Sequence, residues 1–118
     1  MQVDDAIVET LHGEGWKIAI ETNGTVKLPT GIDWICVSPK SADHTIRQRQ
    51  ADEYKVVLSC GQLLPDDPPV AADHYIASPA FSPDGTMDGR ALLWCVGMVK
   101  QHPRWRLSVQ THKLIGLR

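Results

Sequence analysis

Apolar residues recur along this chain with two different periods, and the switches between them mark out its elements. Over "VDDAIVETLHGEGW", Ala6, Ile7 and Leu11 share one face of a helical repeat. Acids fill the first turn and Gly13 offers a C-terminal stop, so the segment predicts a helix. "WKIAIET" follows a tight Gly-x-Gly turn and reads as a strand. "IDWICVSP" is almost continuously apolar, the pattern of a parallel-sheet strand covered on both faces. "EYKVVLS" is a third strand, and "HYIASPA" a short fourth that Pro79 stops. "MDGRALLWCVGMVKQHP" predicts a second helix that is apolar nearly all round and therefore buried. Lys100 suits its last turn, and Pro103 ends it. "WRLSVQ" is the last strand.

Two stretches lack either period. "CGQLLPDDPPVAAD" carries three prolines and reads as a loop, and "SPDGTMDG" is a turn cluster. Between Ser38 and Tyr54 only "ADHTIRQRQADE" could supply a helix, and it is short and polar. No helix separates the first two strands. The class is α/β with several buried, parallel strands and unevenly supplied crossovers, as in part of an irregular barrel or open sheet. Residues 1–118 suit a single partial domain that begins on a helix where a strand is expected first.

Composition narrows the classes. Hydrophobic residues make up 42% and charged residues 22%, an ordinary globular balance. The net charge of -2 gives no bias toward nucleic acid or a membrane surface. Charge is uneven, however: Lys100 to Arg118 holds five Lys/Arg and no acid, either a solvated basic surface or a patch facing an anionic ligand. No apolar run reaches the roughly 18 residues of a membrane span, and "MQVDDAIVET" is unlike a signal peptide. Cys36, Cys60 and Cys95 are odd in number and lack C-x-x-C spacing, which argues against disulfides and zinc. All three read as buried free thiols in a reducing cytoplasm.

Candidate chemistry gathers where strands end, because ligands of α/β folds sit outside the carboxyl ends of parallel strands. Strand ends here read "ETNG", "SPK", "SPAF" and "QTHK". Ser38 and Lys40 can offer a hydroxyl and an ammonium to a carboxylate or ribose, or simply form a strand-to-loop turn. Glu21 and Asn23 can line a polar pocket or fix the loop at Gly24. His112 sits among Gln110, Thr111 and Lys113. No Walker loop, nucleophile elbow, zincin or dinucleotide fingerprint is present, the histidines lack metal-ligand spacing, and no aromatic platform suggests single-stranded nucleic acid.

In order, "GWKIAIETNGT", "IDWICVSPK", "ADEYKVV", "HYIASPA" and "HPRWRLSVQTHKLIGLR" resemble the later part of 7-carboxy-7-deazaguanine synthase, a radical S-adenosylmethionine (SAM) family of queuosine and 7-deazapurine biosynthesis. The pairing of DWICVSPK with WRLSVQTHK carries most of the specificity. The resemblance implies the C-terminal part of a modified, incomplete radical SAM β/α barrel. It implies conversion of 6-carboxy-5,6,7,8-tetrahydropterin to 7-carboxy-7-deazaguanine with loss of ammonia, using SAM, a [4Fe-4S] cluster and Mg2+. It further implies that Ser38, Pro39 and Lys40 contact SAM, as do Ser78, Pro79, Ala80 and Phe81. Ser78 stands where the family often has Gln. His112 and the terminal carboxylate of Arg118 would meet the pterin, which would explain a tail that looks built to be held. A homodimer is implied for the full-length family member.

The same resemblance places the cluster's cysteine triad, the GGEP segment and the magnesium ligand before Met1. Cys36, Cys60 and Cys95 stand at the wrong spacing to replace the triad. The expectation is a lyase portion that is inactive alone. The alternatives are a non-enzymatic remnant that binds SAM or a pterin, and a fragment left unfolded by unpaired sheet edges.

Overall fold

The computed structural model describes residues 4–40 and 45–109. Among them two compact units are separated, one of residues 4–40, 45–54 and 69–73, the other of 55–68 and 74–109. Hydrogen-bonded strands follow the order β1-β2-β3-β4-β5 in one five-stranded sheet.

In the first unit, α1 (Asp5–Gly13) starts because the Asp4 carboxylate accepts the Ile7 amide at 2.9 Å. It stops where the Glu14 amide turns back to Thr10 and Leu11 and Gly15 takes a positive φ of 86°. Its buried residue is Val8, while Ala6, expected on the inner face, is exposed. Val8 packs against the bare backbone of Gly31, where an added Cβ would stand 3.0 Å from Val8 Cγ1. That contact rotates the helix one position from the face the periodicity suggested.

Strand β1 (Ala19–Thr22) pairs in parallel with β2 (Trp34–Val37), Ala19 opposite Trp34 and Thr22 opposite Val37. The expected cover on both faces holds only for the second half of β2. Cys36 and Val37 are buried, but Trp34 is 39% exposed. Strand β3 (Gln50–Leu58) pairs with β2 through Cys36–Glu53 and Val37–Tyr54. Just before that register the Ile35 amide donates to the Asp52 carboxylate at 2.7 Å, so a side chain completes the ladder.

The polar stretch 45–53 forms no helix; residues 41–44 lie outside the described residues. The amides of Arg47 and Gln48 both donate to the Gly24 carbonyl, at 2.7 and 3.1 Å. The Gln48 side chain accepts from Leu28 N–H and donates to the Gln50 carbonyl, each at 2.8 Å. Amides held by another loop cannot close helical turns, and the chain enters β3 directly.

Strand β4 (Ala71–Pro79) begins earlier than the pattern suggested. Ala71 to Asp73, read as loop, are strand because the Ala71 amide reaches the Arg49 carbonyl within the first unit. In the second unit β4 pairs in parallel with β5 (Trp105–Leu107) through Tyr75–Trp105 and Ala77–Leu107. Arg104 stacks its guanidinium 4.1 Å from the centre of the Tyr75 ring.

Helix α2 (Gly89–Gln101) connects them, capped by the Asp88 carboxylate on the Arg90 and Ala91 amides. It is not buried all round. Ala91, Cys95 and Met98 form its inner face, whereas Leu93 is 75% exposed. Cys36 and Cys95 are buried thiols as expected, but Cys60 is exposed because its turn lies outside the packed strands. Burial pushes the Cys95 thiol up.

Asp33 ties the starts of β1 and β2 to α1. One carboxylate oxygen accepts the Ile18 amide at 2.6 Å and His12 Nε2 at 2.9 Å. The Ile18 amide, then His12, hold the Asp33 carboxyl below its ordinary value of 3.8. A depressed folded-state value adds stability above 3.8 that is lost as pH falls through it. Asp33→Ala is therefore expected to lower the urea midpoint at neutral pH, with the two proteins converging in acid; parallel urea titrations across the acid range check this.

Candidate functional site

Two clusters lie at strand ends, one in each unit. In the first unit the Ser38 amide donates to the Thr22 carbonyl at 2.7 Å, so the chains leaving β1 and β2 depart side by side. This brings Glu21, Asn23 and Ser38 to neighbouring positions. Ser38 and Pro39 are half-buried and Lys40 is exposed. Glu21 is exposed on β1, in register with Cys36.

Asn23 has a defined task. Its carboxamide oxygen accepts from the Thr25 amide at 3.1 Å and the Thr25 hydroxyl at 2.8 Å, while Thr22 Oγ1 accepts the Gly24 amide. These bonds fix the loop, the second of the two roles the sequence left open. Gly24 is the reason the loop can sit where it does. It adopts φ +82°, and an added Cβ would stand 2.9 Å from Val37 Cγ1 and 3.3 Å from Ile46 Cδ1. Residues 23–28, 46–48 and the end of β2 therefore meet at one backbone position.

In the second unit, Ala77, Ser78 and Pro79 are fully buried where β4 ends. Pro79 has no amide to extend the ladder, and the next amide, of Ala80, donates to the Leu58 carbonyl at 2.9 Å. The Ser78 hydroxyl is buried with no hydrogen-bond partner among the described residues, a rare state for a polar atom. Phe81 is half-buried and bridges to Met87. The turn between them closes on itself. Asp84 accepts the Thr86 hydroxyl at 2.7 Å and the Thr86 amide at 3.0 Å, and these bonds, the hydroxyl's first, hold its carboxyl below the ordinary value. Gly85 N–H donates to Ser82 at 2.8 Å. His112 and Arg118 lie outside the described residues.

Sequence reasoning did not single out Gln48, Asp52 or Asp33, whose side chains complete backbone hydrogen bonds around the first cluster. No local pattern marks Gln48 within "IRQRQ". A carboxylate beside a predicted strand end, as Asp33 is, was the one available signal.

Two substitutions probe these clusters. Gly24→Ala forces a side chain into both a left-handed backbone and a filled space, and is expected to cost about 2–4 kcal/mol by chemical denaturation. Ser78→Ala removes an unsatisfied buried hydroxyl and is expected to raise stability by about 1 kcal/mol; a loss of that size would show that the hydroxyl has a partner.

No protein-family model matches the chain. Comparison with curated proteins finds relatives along its whole length. It is 41% identical to the 7-carboxy-7-deazaguanine synthase of Caulobacter vibrioides over 99% of this chain and 54% of that protein. It is 40% identical to the enzyme of that name from Bradyrhizobium diazoefficiens over 100% of this chain and 55% of the relative. The Bacteroides thetaiotaomicron protein of the same name is 41% identical over 98% of this chain and 59% of its own length. The chain thus spans little more than half the length of the curated relatives it matches.

Proposed function

We propose, from the premise that this chain corresponds to the C-terminal portion of 7-carboxy-7-deazaguanine synthases, that it forms the later part of a radical SAM barrel. In that role it contributes to turning 6-carboxy-5,6,7,8-tetrahydropterin into 7-carboxy-7-deazaguanine with loss of ammonia. The observation that carries the reading is similarity at about 40% identity along the whole chain, to relatives that share one name. The parallel strands with polar groups at their carboxyl ends support it, being a layout in which α/β enzymes bind small molecules.

SAM is the cofactor this reading assigns to described residues. In the first unit, Ser38 and the exposed ammonium of Lys40 suit a carboxylate or ribose. In the second, Ser78, Pro79, Ala80 and Phe81 form the other assigned segment. The Ser78 hydroxyl is fully buried, so contact there would come through backbone groups of the segment rather than that side chain. When bound, SAM supplies the radical chemistry; these residues bind and orient it. His112 and Arg118 are the assigned pterin contacts.

The described residues do not fit the cluster or the magnesium ion. No group of three His, Cys, Asp or Glu able to hold a metal ion occurs among them. Nor is any helix among them long and apolar enough to cross a membrane. With three free cysteines, the reading is of a protein of the reducing cytoplasm.

The test is a chimera that joins the part of the Caulobacter protein preceding its match to this chain. After anaerobic reconstitution with iron and sulfide it is expected to form 7-carboxy-7-deazaguanine, and Lys40→Ala is expected to weaken SAM binding by calorimetry about tenfold or more, as loss of a charged hydrogen bond does. A folded, cluster-loaded chimera that makes no product would overturn the reading.

A further inference from the structure

Ser78 and Gln48 are the polar residues buried among the described residues, and the fold uses them differently. The Ser78 hydroxyl meets no partner there, whereas Gln48, 9% exposed, bonds to three other positions. Its carboxamide oxygen accepts the Leu28 amide at 2.8 Å, and its carboxamide nitrogen donates to the Gln50 carbonyl at 2.8 Å. Its own amide donates to the Gly24 carbonyl at 3.1 Å. Gln48 therefore grips the loop after β1 at both ends, Gly24 and Leu28. Val26 and Lys27 between these grips are exposed and add little packing of their own.

The bond to Gln50 reaches the start of β3, and β3 pairs with β2 through Cys36–Glu53 and Val37–Tyr54. One side chain thus joins the chain leaving β1 to the strand on the far side of β2. Held between them is the carboxyl end of β2. There Gly24 lies against Val37, so closely that an added Cβ would stand 2.9 Å from Val37 Cγ1. There also the Ser38 amide donates to the Thr22 carbonyl at 2.7 Å. The carboxamide of Gln48 is buried and engaged at both its oxygen and its nitrogen, so it acts on a ligand through these segments rather than by touching it. Such bracing matters because binding groups work only when held within about 0.5 Å of their productive positions.

We propose that Gln48 is a positioning residue for ligand binding at the carboxyl ends of β1 and β2. It fixes the loop of residues 24–28 and the start of β3 on either side of β2, and so sets where Ser38 and Lys40 stand toward a ligand that carries a carboxylate or a ribose. That ligand is SAM on the function proposed above, on which this role rests.

Gln48→Met keeps the length and burial of the side chain and removes both of its bonds. In the full chain, amide hydrogen exchange is expected to quicken about tenfold or more at Thr25 and Ser38, whose amides Gln48 does not touch, as well as at Leu28. In the cluster-loaded chimera the SAM dissociation constant is expected to rise about tenfold or more by calorimetry, the scale at which groups that only orient a binding residue act. Turnover at saturating SAM should be retained, since uniform binding and not the chemical step is lost. Gln48→Glu keeps the acceptor for Leu28, loses the donor to Gln50, and is expected to fall between Gln48→Met and wild type in both readouts. Asp33→Ala, at the opposite ends of the same two strands, is expected to lower stability and leave SAM affinity unchanged. With a wild-type chimera that makes product, unchanged exchange at Thr25 and Ser38, unchanged SAM affinity in Gln48→Met, or an equal loss in Asp33→Ala would overturn the proposal. A wild-type chimera that holds its cluster but binds no SAM would overturn the proposed function itself, and this role with it.

Discussion

Short parallel strands leave backbone amides without ladder partners at their ends, and in the first unit side chains supply several of the missing acceptors. Asp33 takes the amide that opens β1, Asp52 takes that of Ile35 in β2, and Gln48 takes that of Leu28. A buried or half-buried amide left open costs about as much as a lost hydrogen bond, so these acceptors set where the strands begin and which loops lie against them. The arrangement at the carboxyl ends follows. With Gln48 and Gly24 holding the crossing loops, β1 and β2 can discharge their chains next to each other.

The hydrophobic pattern was sufficient for both helices and for the existence of all five strands, because caps and runs are local properties. Asp4 and Asp88 sit where a helix start requires an acceptor, and both serve as one. The start of β3 was hidden because Gln50 and Asp52 are polar and the strand pattern begins only at Glu53. Asp52 there turns its carboxylate to the amide of Ile35 on the neighbouring strand, a tertiary event. The outward position of Leu93 was hidden for the opposite reason. Composition alone reads an apolar helix as buried, and only the placement of Cys95 and Met98 on the inner face shows which side was left over.

At the candidate site the strand-end rule located the segments, and the family resemblance gave them roles that residue chemistry alone did not. Asn23 shows the limit of residue type as a signal. A carboxamide beside a strand end suits a ligand and a turn equally, and only its bonds to Thr25 show the turn in use. Ser78 is the other case: a serine where the family often has Gln already put a side-chain contact in doubt, and its hydroxyl is sealed within the core.

The turn between β4 and α2 bears on how the backbone ages. Asp84-Gly85 is the kind of dipeptide at which polypeptides rearrange through a cyclic imide, when a glycine amide nitrogen attacks the preceding side-chain carboxyl in its neutral form. Here Thr86 keeps that carboxyl ionised and turned toward itself, and the Gly85 N–H is already committed to Ser82. The bonds that shape the link between strand and helix thus also oppose its slow self-modification, since they occupy both the carboxyl and the amide that would have to react.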